Sequence, residues 1–140
     1  NLIEQRKRLR ERFRTEFLDD TAGLEIPPPE DEFMIRVIDC INRRLPESDF
    51  TVEKLGNEMR MSRTQLYRKI LALTDHTPSE FIRNSRLKMA ARMFLKGHKN
   101  VTSVMYTVGF NSPSHFTQRF RELFGLNPSE YIRQKAPSVN

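Results

Sequence analysis

The chain has 140 residues, 37% of them apolar and 30% charged, and carries a formal net charge of +6. That length allows one small domain with a real core or two very small ones, and the mix is too apolar for a wholly disordered chain. No apolar run approaches the ~20 residues that span a bilayer, no signal peptide is visible, and a single cysteine, Cys40, excludes an internal disulfide.

In chain order, residues 1–17 read as a separate N-terminal helix. Leu2, Leu9, Phe13 and Phe17 fall on one thin stripe, and Arg6 to Arg14 is dense in basic residues. A lone helix of this size is marginal in water, so it needs a partner, and pairing with the same helix of a second chain is one expectation. A remnant without structure of its own, or a basic arm lying on phosphates, is the alternative. Residues 18–31, with Gly23 and Pro27-Pro28-Pro29, read as a linker without helix. From Glu32 the pattern turns helical: Met34, Val37, Ile38, Ile41 and Leu45 recur at helical spacing up to Pro46, and Cys40 falls among them as a core residue. A short helix follows Thr51, with Val52, Leu55 and Met59 inward. Ser62-Arg63-Thr64-Gln65 is a capping box opening a helix that buries Leu66, Ile70 and Leu73. Thr77-Pro78-Ser79-Glu80 is a second capping box, starting a long helix that reaches about Leu95 and stops at Gly97.

The chain then repeats itself. Thr77-Pro78-Ser79-Glu80-Phe81-Ile82-Arg83 returns as Asn127-Pro128-Ser129-Glu130-Tyr131-Ile132-Arg133, and the same offset pairs Ser62 with Ser112, Leu66 with Phe116 and Ile70 with Phe120. One residue fewer separates Val52 from Val101, Leu55 from Val104 and Met59 from Val108. The slip falls between two helices, where chain length changes cheaply. The expectation is an all-α domain over 32–136: two helix-turn-helix units, about 51–73 and about 101–124, joined by a linker helix over about 78–95, with about seven helices in all. A linker helix of ~17 residues spans ~26 Å, against ~34 Å for one turn of DNA. Single-stranded binding on the Phe110, Phe116, Phe120, Phe124 set is the lesser reading, because its helical spacing marks a core.

Charge placement agrees with a polyanion partner. Between Arg60 and Lys99 ten basic residues face only Asp75 and Glu80, while Asp19 to Asp39 holds seven acids against Arg36. A solvated helical surface carries the same charges, so charge alone leaves both open. Neither a metal-ligand spacing among His76, His98 and His115, nor a glycine-rich phosphate loop, nor an ordered triad is present, and no catalytic residue, cofactor or metal is expected.

The stretch Gly109-Phe110-Asn111-Ser112-Pro113-Ser114-His115-Phe116, with Phe120, Gly125, Pro128 and Tyr131-Ile132-Arg133, resembles the signature of the AraC/XylS family of bacterial transcription regulators. Met61-Ser62-Arg63-Thr64-Gln65-Leu66-Tyr67-Arg68 is similar to the family's first helix-turn-helix. The resemblance covers about Phe33 to Lys135. It implies sequence-specific binding of double-stranded DNA, with two recognition helices in successive major grooves, and regulation of transcription. The base-reading positions it implies are Thr64, Tyr67 and Arg68, with Arg63 adjacent, and Ser114, His115, Thr117 and Gln118. These lie opposite the apolar Leu66/Ile70 and Phe116/Phe120 stripes. Arg68 suits a guanine and Gln118 an adenine. Tyr67 either reaches DNA or packs on the linker helix, His115 either reaches DNA or packs locally, and Lys69 and Arg121 at the edges suit phosphates. Asn1-Leu2-Ile3-Glu4-Gln5-Arg6-Lys7-Arg8-Leu9-Arg10 resembles the segment after a receiver domain in hybrid two-component sensors. This implies a cytoplasmic output domain of a longer phosphorelay protein, with a receiver and histidine kinase upstream, an inner-membrane anchor left open, and RNA polymerase as a further partner. The family commonly has glycine where this chain has Arg60 and Asp75, and often arginine where it has Gln118. At positive φ, Arg60 costs about 1 kcal/mol or more against glycine. The rival function is a protein-interaction module acting through residues 1–17.

Overall fold

A computed structural model describes residues 29–137. The expected N-terminal helix, its pairing role and most of the linker lie outside the described residues. Among those described are seven helices and no strand: α1 (Pro29–Arg44), α2 (Val52–Met59), α3 (Arg63–Thr74), α4 (Pro78–Leu95), α5 (Val101–Thr107), α6 (Pro113–Phe124) and α7 (Pro128–Lys135).

Local chemistry accounts for most boundaries. Helix α1 begins at Pro29, three residues before the expected start. Proline at a first helical position loses no bond, because that N–H has no helical partner. Arg43 and Arg44 occupy the last turn, matching the negative end of the helix dipole. Thr51 caps α2 by accepting from the Lys54 amide at 3.3 Å. The Ser62 box forms in both directions: Ser62 Oγ accepts from the Gln65 amide at 3.1 Å, and Gln65 Oε1 accepts from the Ser62 amide at 3.0 Å. Thr77 and Glu80 cap α4 in the same reciprocal way, at 3.2 and 3.4 Å. Helix α4 stops at Gly97, which takes φ 103° while the His98 amide reaches back to the Met93 carbonyl.

The chain divides into two compact units. The first comprises residues up to Asn42 and Thr51–Ile82; the second comprises Arg43–Phe50 and the chain from Arg83 onward. Both α1 and α4 therefore contribute to each.

In the first unit Phe33, Met34, Val37, Cys40 and Ile41 of α1 are buried, with Leu55 and Met59 of α2, Leu66, Ile70 and Leu73 of α3, and Phe81 and Ile82 of α4. Cys40 is a core residue, as its neighbours implied, and its Sγ lies 3.3 Å from Glu58 Oε2.

In the second unit Leu87, Ala90, Ala91 and Phe94 of α4 form one cluster with Val104, Met105, Val108, Phe110, Phe116 and Phe120. The rings meet mostly edge to face or tilted: Phe94–Phe120 at 5.7 Å, Phe110–Phe116 at 5.1 Å and Phe120–Tyr131 at 5.3 Å between centroids. Phe116 and Phe120 are fully buried, so the aromatic set is core and offers no platform for single strands.

One buried charge organises this unit. Arg86 donates to three backbone carbonyls: Leu45, Val108 at 2.7 Å and Glu47 at 2.9 Å. It thereby ties the turn after α1 to the C-terminal end of α5. Burial lowers the guanidinium's pKa from its ordinary value, and the nearby Asp49 charge opposes that shift.

Candidate nucleic-acid interface

Each unit builds a helix-turn-helix from the same parts. After α2, the Arg60 amide bonds to the Asn57 carbonyl at 3.2 Å and the Met61 amide to the Gly56 carbonyl at 2.9 Å. After α5, the Gly109 amide bonds to the Tyr106 carbonyl and the Phe110 amide to the Met105 carbonyl, both at 3.0 Å. These paired bonds are the Schellman closure, which needs one residue at positive φ. Gly109 supplies it at 94°, and Arg60 adopts it at 55°. The N-cap of the next helix lies two residues after Arg60, at Ser62, and three residues after Gly109, at Ser112. Asn111 is the extra residue, which places the slip of the sequence repeat inside the second turn.

The second helix of each pair turns an apolar stripe inward and a polar face outward. On α3, Leu66, Ile70 and Leu73 are buried while Arg63, Thr64, Tyr67, Arg68 and Lys69 are exposed. Tyr67 keeps 46% of its surface, so it is not packed away against the linker helix. The Lys69 ammonium lies over the Phe33 ring, 4.3 Å from its centroid, which anchors that side chain toward α1. No acid lies on α3 at all. Its N-terminus, with the positive end of the helix dipole, and its arginines thus present one sign of charge.

On α6, Phe116 and Phe120 are buried while Ser114, His115, Thr117, Gln118 and Arg121 are exposed. Ser114, Thr117, Gln118, Arg121, Glu122 and Asn127 line an open groove of about 560 Å³. The His115 ring lies 5.7 Å from that of Phe110, and the Arg119 Nε–H points at its Nε2, 3.4 Å away. Arg119 also donates to Glu122 at 3.1 Å, and the Gln118 amide nitrogen donates to the other Glu122 oxygen at 3.4 Å.

Every candidate base reader therefore lies on the exposed face of a capped second helix. Arg119 and Glu122 escaped the sequence reading. Arg119 follows His115 by four residues, Glu122 follows Gln118 by four, and three separate Arg119 from Glu122; those spacings were the available signal. Among the described residues no group of three or more His, Cys, Asp or Glu is placed to hold a metal ion. No described helix is long and apolar enough to cross a membrane.

A family described as a helix-turn-helix domain matches residues 55–134, more than half the chain. The chain is 31% identical over 131 residues to a protein named histidine kinase P4 from Formosa agariphila, covering 94% of this chain but only 10% of that relative. Its fold matches the C-terminal domain of AraT, a response regulator from Geobacillus stearothermophilus, with TM-score 0.69 at 22% identity over 76% of this chain and 88% of that one. It also matches the DNA-binding domain of AdpA, a global transcriptional factor, in complex with a target DNA, with TM-score 0.64 at 27% identity over 76% of this chain and 92% of that one.

Proposed function

Because the chain belongs to the AraC-type helix-turn-helix family of DNA-binding transcription regulators, we propose that α3 and α6 are its two recognition helices, each entering a major groove, in successive grooves of one site. The carrying observation is that both capped second helices expose short polar and basic side chains over a fully buried stripe. Arg68 pairs with a guanine through two hydrogen bonds and Gln118 with an adenine. Arg63, Thr64, Tyr67, Ser114, His115 and Thr117 complete the base-facing sets, and Arg121 contacts phosphate. Lys69 reaches phosphate from its place over Phe33, or stays there as packing.

This fragment is a binding module, not an enzyme. We further infer that it is the output end of a longer phosphorelay protein, with a receiver and kinase upstream and RNA polymerase as its downstream partner. The match to a tenth of a histidine kinase supports that reading. Pairing through residues 1–17 would then bring two copies onto adjacent sites and raise affinity by effective concentration. The full protein would work at cytoplasmic DNA, with or without a membrane anchor.

Selection of bound duplexes from a random library, followed by titration of the selected and a random duplex across a salt series, tests the central claim. The expected result is a defined site, bound more tightly than random duplex at every salt concentration. Equal affinity for the two throughout would remove sequence specificity.

A further inference from the structure

The recognition face of α6 carries one acid, Glu122, in a helix otherwise free of them. An acid facing duplex DNA opposes phosphates, so its position invites a specific role. Glu122 lines the same open groove as Gln118. We infer that Glu122 is a specificity-determining positioning residue, which orients the Gln118 amide to accept adenine and reject guanine. This rests on the assignment of α6 as a recognition helix.

A carboxylate can only accept hydrogen bonds, so the amide end turned toward it must be the nitrogen. The Gln118 Nε2 to Glu122 Oε1 distance of 3.4 Å places it so. One amide N–H is then engaged along the helix. The amide is planar, and its open edge retains one acceptor, Oε1, and one donor, the remaining N–H. Adenine presents the complementary pair in the major groove, a donor at N6 and an acceptor at N7, whereas guanine presents two acceptors, O6 and N7. A glutamine whose two N–H groups were both free could turn to meet guanine; this one has already committed a donor.

The same carboxylate acts on a second side chain. Glu122 Oε2 accepts from Arg119 Nη1 at 3.1 Å, while Arg119 Nε–H points to His115 Nε2 at 3.4 Å. The guanidinium, which is the group best fitted to pair with guanine's two acceptors, is folded back along its own helix. These contacts are weak in water and strengthen when a bound duplex excludes it, because a carboxylate left there without its donors would be desolvated and unpaired.

The test compares the 140-residue chain with Glu122→Ala, Glu122→Gln, Gln118→Ala and the double variant Glu122→Ala/Arg119→Ala, reading base preference from selected duplexes. Gln118→Ala should erase the adenine preference at one position. Glu122→Ala should lower the adenine-to-guanine ratio at that same position about tenfold and leave the others unchanged. Glu122→Gln, whose amide oxygen can still accept, should keep more of that ratio than Glu122→Ala. The double variant should lose whatever guanine preference the released Arg119 had introduced. A wild-type ratio in Glu122→Ala, with Gln118→Ala still erasing the preference, overturns the positioning role and leaves Gln118 as a base reader. A change spread evenly over all positions overturns it as well, since that marks a general structural effect. If Gln118→Ala changes nothing, the base-reading assignment falls and takes the positioning role with it.

Discussion

Gly109 and Arg60 hold equivalent turn positions in the two units and both take positive φ, but their surroundings differ. At Gly109 an added Cβ would collide with the Arg86 guanidinium and lie 2.7 Å from the Leu45 carbonyl. Gly109→Ala should therefore destabilise the protein by about 3 kcal/mol or more, combining the backbone cost with disruption of hydrogen bonds to a buried charge. Gly125, also at positive φ, has nothing within 4 Å of such an atom. Gly125→Ala should cost only the backbone term, about 1–2 kcal/mol. Urea unfolding of both variants checks the contrast, and equal losses would mean that Arg86 gives way freely. Arg60→Gly should stabilise the domain by up to about 1 kcal/mol, or leave it unchanged, because relief at φ 55° is partly offset by glycine's larger unfolded-state entropy. A clear drop in the unfolding midpoint would show that the Arg60 side chain makes a stabilising contact. The need for a special residue here was legible in the repeat, which aligned Arg60 with Gly109. That Arg86 makes glycine obligatory at 109 was not legible, since Arg86 lies 23 residues away in the chain.

At the scale of the helix, caps and faces were written locally. Ser62 with Gln65, and Thr77 with Glu80, announce helix starts through bonds that span three residues, so no tertiary information is needed to find them. Ser62→Ala should cost about 1 kcal/mol through the lost cap at the start of α3. The measurement is thermal unfolding, and a shift no larger than that of an exposed mid-helix substitution would count against the cap's importance. The exposed faces were equally legible, because a stripe of Leu66 and Ile70 or of Phe116 and Phe120 leaves only one side for polar residues. On the first of these faces, Arg68→Ala should weaken specific binding by about 1–3 kcal/mol and relax one base position. Lys69→Ala should weaken all sequences about equally if its ammonium reaches phosphate. It should leave DNA affinity unchanged and cost a little stability if its role is packing on Phe33. Competition binding against single-base variants of the selected site separates these outcomes. What a helix's own sequence left undecided was the state of its polar groups: Tyr67 in the open, His115 against Phe110, and Gln118 shared with Glu122.

For the whole molecule, duplex affinity should fall with salt at a slope of about −0.9 for each phosphate neutralised. Substituting Arg121 should reduce that slope by about one, and a slope near zero for the unaltered chain would mean that phosphate neutralisation does not drive binding. Deleting residues 1–17 should abolish self-association and the preference for tandem sites if that segment pairs copies, as analytical ultracentrifugation and binding to single and tandem sites would show. A loss of affinity for single sites alone would instead support a basic arm on DNA. The double unit, the helix count over the described residues and the family resemblance all came from the amino-acid order, because periodicity, capping and an internal repeat are local or self-referential signals. The start of α1 escaped it, since three prolines read as extended chain while the helix tolerates the last of them at its first position. Only the tertiary structure decided that the Lys69 ammonium lies over the Phe33 ring, and that one buried arginine joins the turn after α1 to the end of α5. Those contacts depend on which distant carbonyls and rings the fold brings together, and no spacing along the chain encodes that distance.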